Sequence, residues 1–202
     1  DEWAEKLAQS LHDVPHRHMV FTIPESLRPI LEKNHGLLRV LMDAVSQTMK
    51  RIIADRKKAT PSVICVLHPY GKDLSLNSHI HVLATEGGLT KRKEWVNVNF
   101  FEYGKLHRIW QYELLTSLKA SMPNTPETSQ LINNLFKTYQ NGFYVYAEKK
   151  LLNAKKAARY IGRYIRHPAI AESRITNFDE KANTVTFWYT RNGKRMETTM
   201  PA

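Results

Sequence analysis

Cysteine is almost missing from this sequence, with Cys65 alone among 202 residues. One thiol closes no disulfide and builds no cysteine zinc site, which fits a reducing compartment. Long apolar runs are lacking too, so no segment reads as a transmembrane helix, and the first residues carry no signal-peptide pattern. Internal repeats, low-complexity tracts and clear linkers are absent, which leaves a single domain over 1–202 as the expectation. Acidic residues are scarce: 19 Asp and Glu stand against 30 Lys and Arg, for a formal net charge of +11. With a pI near 9.7, the chain is expected to meet a polyanion, nucleic acid first and an acidic membrane second. Neither terminus carries a strongly amphipathic, aromatic-anchored basic helix, which disfavours the membrane. The initiator methionine is missing as well, and the charged, amphipathic opening reads as part of a longer protein.

What the chain does contain is enough apolar residue, 42%, for one proper core. It also holds nine tyrosines, interleaved with Lys and Arg along the second half, as stacking on single-stranded nucleic acid requires. The most informative stretch is Asn77-Ser78-His79-Ile80-His81-Val82-Leu83-Ala84. Its alternation predicts a β-strand with His79, His81 and Leu83 on one face and Ile80, Val82 and Ala84 on the other. Upstream, Val63–His68 reads as a second strand, joined to the first through the turn-rich Pro69-Tyr70-Gly71-Lys72-Asp73. Antiparallel pairing would bring His68 beside His79 and His81, forming a three-histidine, open-faced metal site. His16 and His18 lie at the start of an earlier strand and could approach the same point, with a weaker claim than His68.

Around this pair the pattern is mixed. Residues 1–15 read as a lead-in helix with Trp3, Leu7 and Leu11 on one side, interrupted by Pro15. His18–Ile23 reads as a strand ended by Pro24, and Pro29 to Lys58 as one long helix. Gly87-Gly88 closes the histidine strand; Lys91–Pro123 reads as helical, then Glu127–Tyr139 as a further helix. Gly142–Ala147 is a fourth strand, and a helix over Asn153–Arg166 stops at Pro168. Thr184–Thr190 and Lys194–Thr199 flank Arg191-Asn192-Gly193 as a β-hairpin with an Asn-Gly turn. The fold class is therefore α+β: a central antiparallel sheet with helices packed on one face and a C-terminal β-hairpin.

On the Asn153–Arg166 helix, Tyr160 and Tyr164 stand four residues apart and so share a face. Lys156, Arg163 and His167 fall on that side, whereas Ala154, Ala158, Ile161 and Ile165 form an opposite apolar stripe. The stripe is the natural core contact, which places the tyrosines away from it among cations. A free phenol, with a pKa of about 10, is a weak nucleophile, and nearby cations and a metal that polarises the electrophile are what it needs.

Together these features resemble the HUH endonuclease superfamily. The runs His18-Met19-Val20-Phe21-Thr22-Ile23-Pro24, Asn77–Leu83 with Glu86-Gly87-Gly88-Leu89, and Tyr160-Ile161-Gly162-Arg163-Tyr164 are similar, in that order, to the two-tyrosine rolling-circle transposases of bacterial insertion sequences. The resemblance implies a ferredoxin-like HUH palm in the bacterial cytoplasm, at the nucleoid. It also implies metal-dependent nicking and joining of single-stranded DNA, at transposon ends and target, through a 5′-phosphotyrosine on Tyr160 or Tyr164. His79 and His81 would hold a divalent ion, Mg²⁺ or Mn²⁺, with His68 as the third ligand by its match to relaxase-type members; ligand softness alone would suit zinc or manganese. Lys156, Arg159 and Arg163 are candidates for phosphate contacts. Full-length members commonly carry a cysteine-rich zinc-binding region, expected outside this chain. The alternatives are a plasmid replication initiator or relaxase, a water-using phosphodiesterase, and a non-catalytic single-strand binding module.

Overall fold

The computed structural model describes residues 2–98, 101–166 and 169–202. His167 and Pro168, assigned above to the tyrosine face and to the helix stop, lie outside the described residues. In chain order the elements are α1 (Glu2–Ser10), β1 (His16–Thr22), α2 (Arg28–Lys33), α3 (Leu37–Lys57), β2 (Ala59–Thr60) and β3 (Val63–Tyr70). There follow β4 (Leu76–Thr85), β5 (Gly87–Thr90), β6 (Trp95–Asn97), α4 (Tyr103–Ser121), α5 (Pro126–Thr138) and β7 (Val145–Leu151). The chain continues through α6 (Ala154–Arg166), β8 (Ile175–Asp179), β9 (Thr184–Arg191) and β10 (Lys194–Pro201).

The main sheet has strand order β3-β4-β1-β7, with each neighbouring pair antiparallel. Helices α2–α3 connect β1 to β3, and α4–α5 connect β4 to β7, which gives the βαββαβ plan of ferredoxin-like folds. Two small sheets complete the described chain, β2-β5-β6 and β10-β9-β8.

Strand alternation decides what each face of the main sheet meets. Met19 and Phe21 of β1 and Ile80, Val82 and Ala84 of β4 are fully buried in the principal core with Leu41, Val45 and Met49 of α3 and Trp110 and Leu114 of α4. The Trp110 ring meets Phe21 edge-on at 5.3 Å, and its indole N–H donates to the Thr22 carbonyl at 2.8 Å, so the polar end of a buried ring is satisfied. The other face carries the histidines. There α6 crosses, and Leu83, Leu151, Ala157 and Ile161 form a second cluster that Leu7 of α1 and Leu11, just past its end, cover from outside.

Helices therefore cover both faces of the sheet, not one. The two crossover segments share the first face as expected, but α6 with α1 closes the second. Three further expectations change. The helix expected over Pro29–Lys58 is broken at Asn34-His35-Gly36, where the Asn34 side-chain carbonyl accepts the Gly36 N–H at 3.1 Å and turns the chain between α2 and α3. The region after Lys91 becomes helical only at Tyr103, because β6 first adds a strand to β5. The histidine strand does stop ahead of Gly87-Gly88, at Thr85, but these glycines then open β5, a strand not expected there.

The hairpin is as expected. Asn192 and Gly193 alone connect β9 to β10, both at positive φ (51° and 76°), the type I′ geometry that Asn-Gly favours. A third strand that the sequence reading did not identify, β8, pairs with β9.

Candidate functional site

The site is built on the β3–β4 pair. Antiparallel register puts His68 directly opposite His79, and Val66 opposite His81. Since His79 and His81 are two residues apart on one strand, all three imidazoles emerge on the face that α6 crosses. Their ring centroids lie 5.5 Å (His68–His79), 4.6 Å (His68–His81) and 5.1 Å (His79–His81) apart. One ligand nitrogen from each falls within 4.8 Å of the others, the one such group among the described residues.

Two of these rings are anchored by backbone carbonyls. His79 Nδ1 donates to the Asn77 carbonyl at 2.8 Å, and His68 Nε2 donates to the Tyr164 carbonyl at 2.9 Å. A neutral imidazole held at one nitrogen keeps a lone pair on the other, the form a cation needs. Electrostatics favour that form. Burial, then the nearby His68, His79 and His18, pushes His81 down to about 3, and burial is the main cause of the lowered pKa of His79. Convergent and partly shielded, the three donors suit a divalent transition ion.

The tyrosine helix closes over this group. Its first turn is capped by Asn153, whose side-chain oxygen accepts the Lys156 N–H at 2.9 Å, and by Asp13, which accepts the Ala154 N–H at 3.1 Å. The Tyr164 ring stacks on His81 with centroids 3.9 Å apart, and the Tyr160 and Tyr164 hydroxyls are 3.2 Å from each other. The Arg163 guanidinium lies over the Tyr160 ring at 4.5 Å, while Lys156 and Arg159 are solvent-exposed. Beside the site opens a cleft of about 770 Å³, bordered by His68, His79 and Tyr164 and by Tyr70, Lys72 and Asn77.

The structure thus brings His68, His79, His81, Tyr160 and Tyr164 together. It corrects the orientation expected for the tyrosines. They do not stand away from the protein body: both are half-buried and directed at the histidine face. The apolar stripe is also different, with Ala154, Ala157, Ala158 and Ile161 buried while Ile165 is 43% exposed. A helix placed between α1 and a sheet buries two sides, and an apolar stripe reports only one of them.

His16 and His18 do not join the three-histidine group. His16 is buried, with Nδ1 donating to the Val14 carbonyl at 2.8 Å. His18 is fully buried on the same sheet face, its Nε2 3.0 Å from His81 Nδ1, and its ring lies 4.9 Å from Tyr160 and 5.1 Å from Tyr164. Glu86, 4% exposed, is another residue whose role sequence reasoning missed: it binds Arg17 of β1 at 2.6 Å and Lys150 of β7 at 2.9 Å, tying the strand ends below the site. The signals for it were its place in the Glu86-Gly87-Gly88-Leu89 run and a carboxylate in an otherwise apolar stretch.

Comparison with known proteins follows the same residues. The chain is 27% identical over 199 residues to the "Transposase for insertion sequence element IS801" of Pseudomonas savastanoi pv. phaseolicola, covering 94% of this chain and 48% of that protein. It is 23% identical over 214 residues to "Putative transposase y4qJ" of Sinorhizobium fredii, covering 97% of this chain and 54% of that one. The chain spans about half the length of these curated relatives. No solved structure matches it. The Y2_Tnp family model, described as "Putative transposase", matches residues 62–201, a span that takes in both histidine strands and the tyrosine helix. By that match over most of its length, the chain belongs to the Y2_Tnp transposase family.

Proposed function

We propose that this chain is the catalytic domain of a rolling-circle insertion-sequence transposase, nicking and rejoining single-stranded DNA through a tyrosine at the nucleoid of the bacterial cytoplasm. The observation that carries the reading is the stacking of Tyr164 on His81 at 3.9 Å, with the Tyr160 hydroxyl 3.2 Å from that of Tyr164. Phenols packed on a ligand-competent imidazole cluster combine a nucleophile with a Lewis-acid position. A non-catalytic binding module gives that arrangement no task.

His68, His79 and His81 would hold the ion, Mn²⁺ or Mg²⁺, which supplies positive charge against the non-bridging oxygens of the scissile phosphate. The phenol oxygen of Tyr160 or Tyr164 attacks phosphorus in line. The bond to the 3′ oxygen breaks, the phenol's proton ends on the departing 3′-hydroxyl, and a 5′-phosphotyrosine forms. Attack by a second 3′-hydroxyl reverses the same steps, so the strand is rejoined without an external energy source. Two tyrosines allow two covalent links in succession. The Arg163 guanidinium over Tyr160 and the exposed Lys156 and Arg159 are the cations this reading assigns to phosphate contacts.

The test is a covalent-adduct assay. Single-stranded oligonucleotides spanning candidate transposon ends, labelled 3′ of the nick, are incubated with the protein and Mn²⁺ and run on a denaturing gel. A labelled band at the mass of protein plus DNA is expected, lost with EDTA and in the Tyr160→Phe/Tyr164→Phe double variant. Cleavage without an adduct would replace this reading with a water-using phosphodiesterase.

A further inference from the structure

His18 is a fully buried imidazole outside the three-histidine group, and it meets that group at a defined pair of atoms: Nε2 to His81 Nδ1 at 3.0 Å. The two rings are nearly parallel, 9° apart, and their centroids lie 5.2 Å apart, close to the nitrogen–nitrogen distance plus the radii of both rings. The nitrogens therefore approach edge to edge in the ring plane, between side chains 63 residues apart in sequence. One hydrogen serves that contact, and it belongs to one ring or the other. If it sits on His18, His81 accepts at Nδ1 and, being neutral, carries its own proton on Nε2. Both His81 nitrogens are then occupied, and the ring cannot ligate. If the hydrogen sits on His81 Nδ1, His18 Nε2 accepts it and His81 Nε2 keeps its lone pair. His79 and His68 have this choice made for them, because a backbone carbonyl can only accept. His81 has no carbonyl in that place; it has His18.

We infer that His18 is a positioning residue that holds the His81 proton on Nδ1, so that His81 Nε2 is the metal-ligating atom. The inference rests on the metal site in the reading above. His18 touches no reacting atom in this role. It is the acceptor that completes the set: three rings, three acceptors, three nitrogens left bare. The position also explains why a histidine, rather than an apolar residue, occupies a fully buried place on β1 between the sheet and both tyrosine rings. A metal ligand whose second nitrogen is bonded has a fixed ring orientation and tautomer, and removal of such a partner typically weakens metal affinity by about 10–100-fold.

Two variants separate the acceptor from the packing. His18→Phe keeps a flat ring against Tyr160 and Tyr164 but offers no acceptor; His18→Gln restores an acceptor oxygen. In the metal-free protein, ¹⁵N-resolved NMR of the histidine rings should place the His81 proton on Nδ1 in the parent and in His18→Gln, and on Nε2 in His18→Phe. Mn²⁺ titration, followed by calorimetry, should give an affinity about 10–100-fold weaker for His18→Phe and close to parental for His18→Gln. Thermal unfolding of the metal-free variants checks that both are folded. Parental Mn²⁺ affinity in folded His18→Phe would overturn this inference alone, with the adduct assay on the parent still standing. A parent that binds no Mn²⁺ and forms no adduct would overturn the inference together with the reading it rests on.

Discussion

His81 shows at the residue scale how burial and like neighbours set chemistry. Three imidazoles around it and the loss of water hold it neutral far below the ordinary histidine range, at about 3, and burial also lowers His79 and His16. Unfolded, each of the three would take up a proton near pH 6.5. Between that value and the lower folded ones the unfolded chain binds more protons, so stability falls as pH falls. The urea midpoint of the metal-free protein should be level above pH 7 and decline on acidification below about 6.5, less steeply in His81→Gln. A midpoint unchanged between pH 7 and 5 would contradict the buried, neutral cluster. The histidine triad was legible because it needs only strand alternation and one short turn. The contact of His18 with His81 was not, since nothing in either strand's own pattern says which strand becomes its neighbour.

Elements tell a similar story about what local pattern can reach. The Asn192-Gly193 hairpin and the β3–β4 pair follow from the residues within them. The break at Asn34-His35-Gly36 was also written locally, in turn-forming residues, but apolar spacing continues across it and hides it. The second covered face had a signal too: Val63–Leu67 is apolar without alternation, and in this edge strand every residue of that run is half-buried rather than alternately buried and exposed. Its cover is α6, and α6 is in turn seated by α1. At Gly162, on the side of the helix away from the histidines, an added Cβ would lie 2.9 Å from the Trp3 ring, so the absent side chain is the notch that ring occupies. Trp3→Ala removes a half-buried ring and should cost on the order of 1–3 kcal/mol, below the range for fully buried aromatics. Amide hydrogen exchange should speed up over 154–166 while α3 and α4 stay protected; unchanged exchange in α6 would show that α1 does not hold the tyrosine helix.

For the whole molecule, a charge of +11 sets how a polyanion is met. Affinity for single-stranded DNA should fall linearly in log salt, with a slope near 0.7 for each phosphate neutralised. Lys156→Ala and Arg159→Ala should each flatten that slope by about that amount; an unaltered slope would place the strand elsewhere on the surface. The plan of the molecule also brings the histidine sheet and the tyrosine helix together at a backbone atom. Tyr164 is in the last turn of α6, where helix carbonyls have no partner within the helix, and His68 from the far edge of the sheet supplies one at 2.9 Å. The same ring therefore serves as a candidate ligand and as a helix cap. Under the proposed metal chemistry, thermodynamic reciprocity makes those two duties inseparable. If the ion takes His68 Nδ1, it leaves the capping N–H in place as a stronger donor, and Mn²⁺ should slow exchange at the end of α6. If it takes Nε2, the cap is lost and exchange quickens. In either case, whatever free energy the ion gives to or takes from the helix end, the helix end returns to the ion. A nucleophile carried on that helix would then report, through its own backbone, whether the metal beneath it is in place.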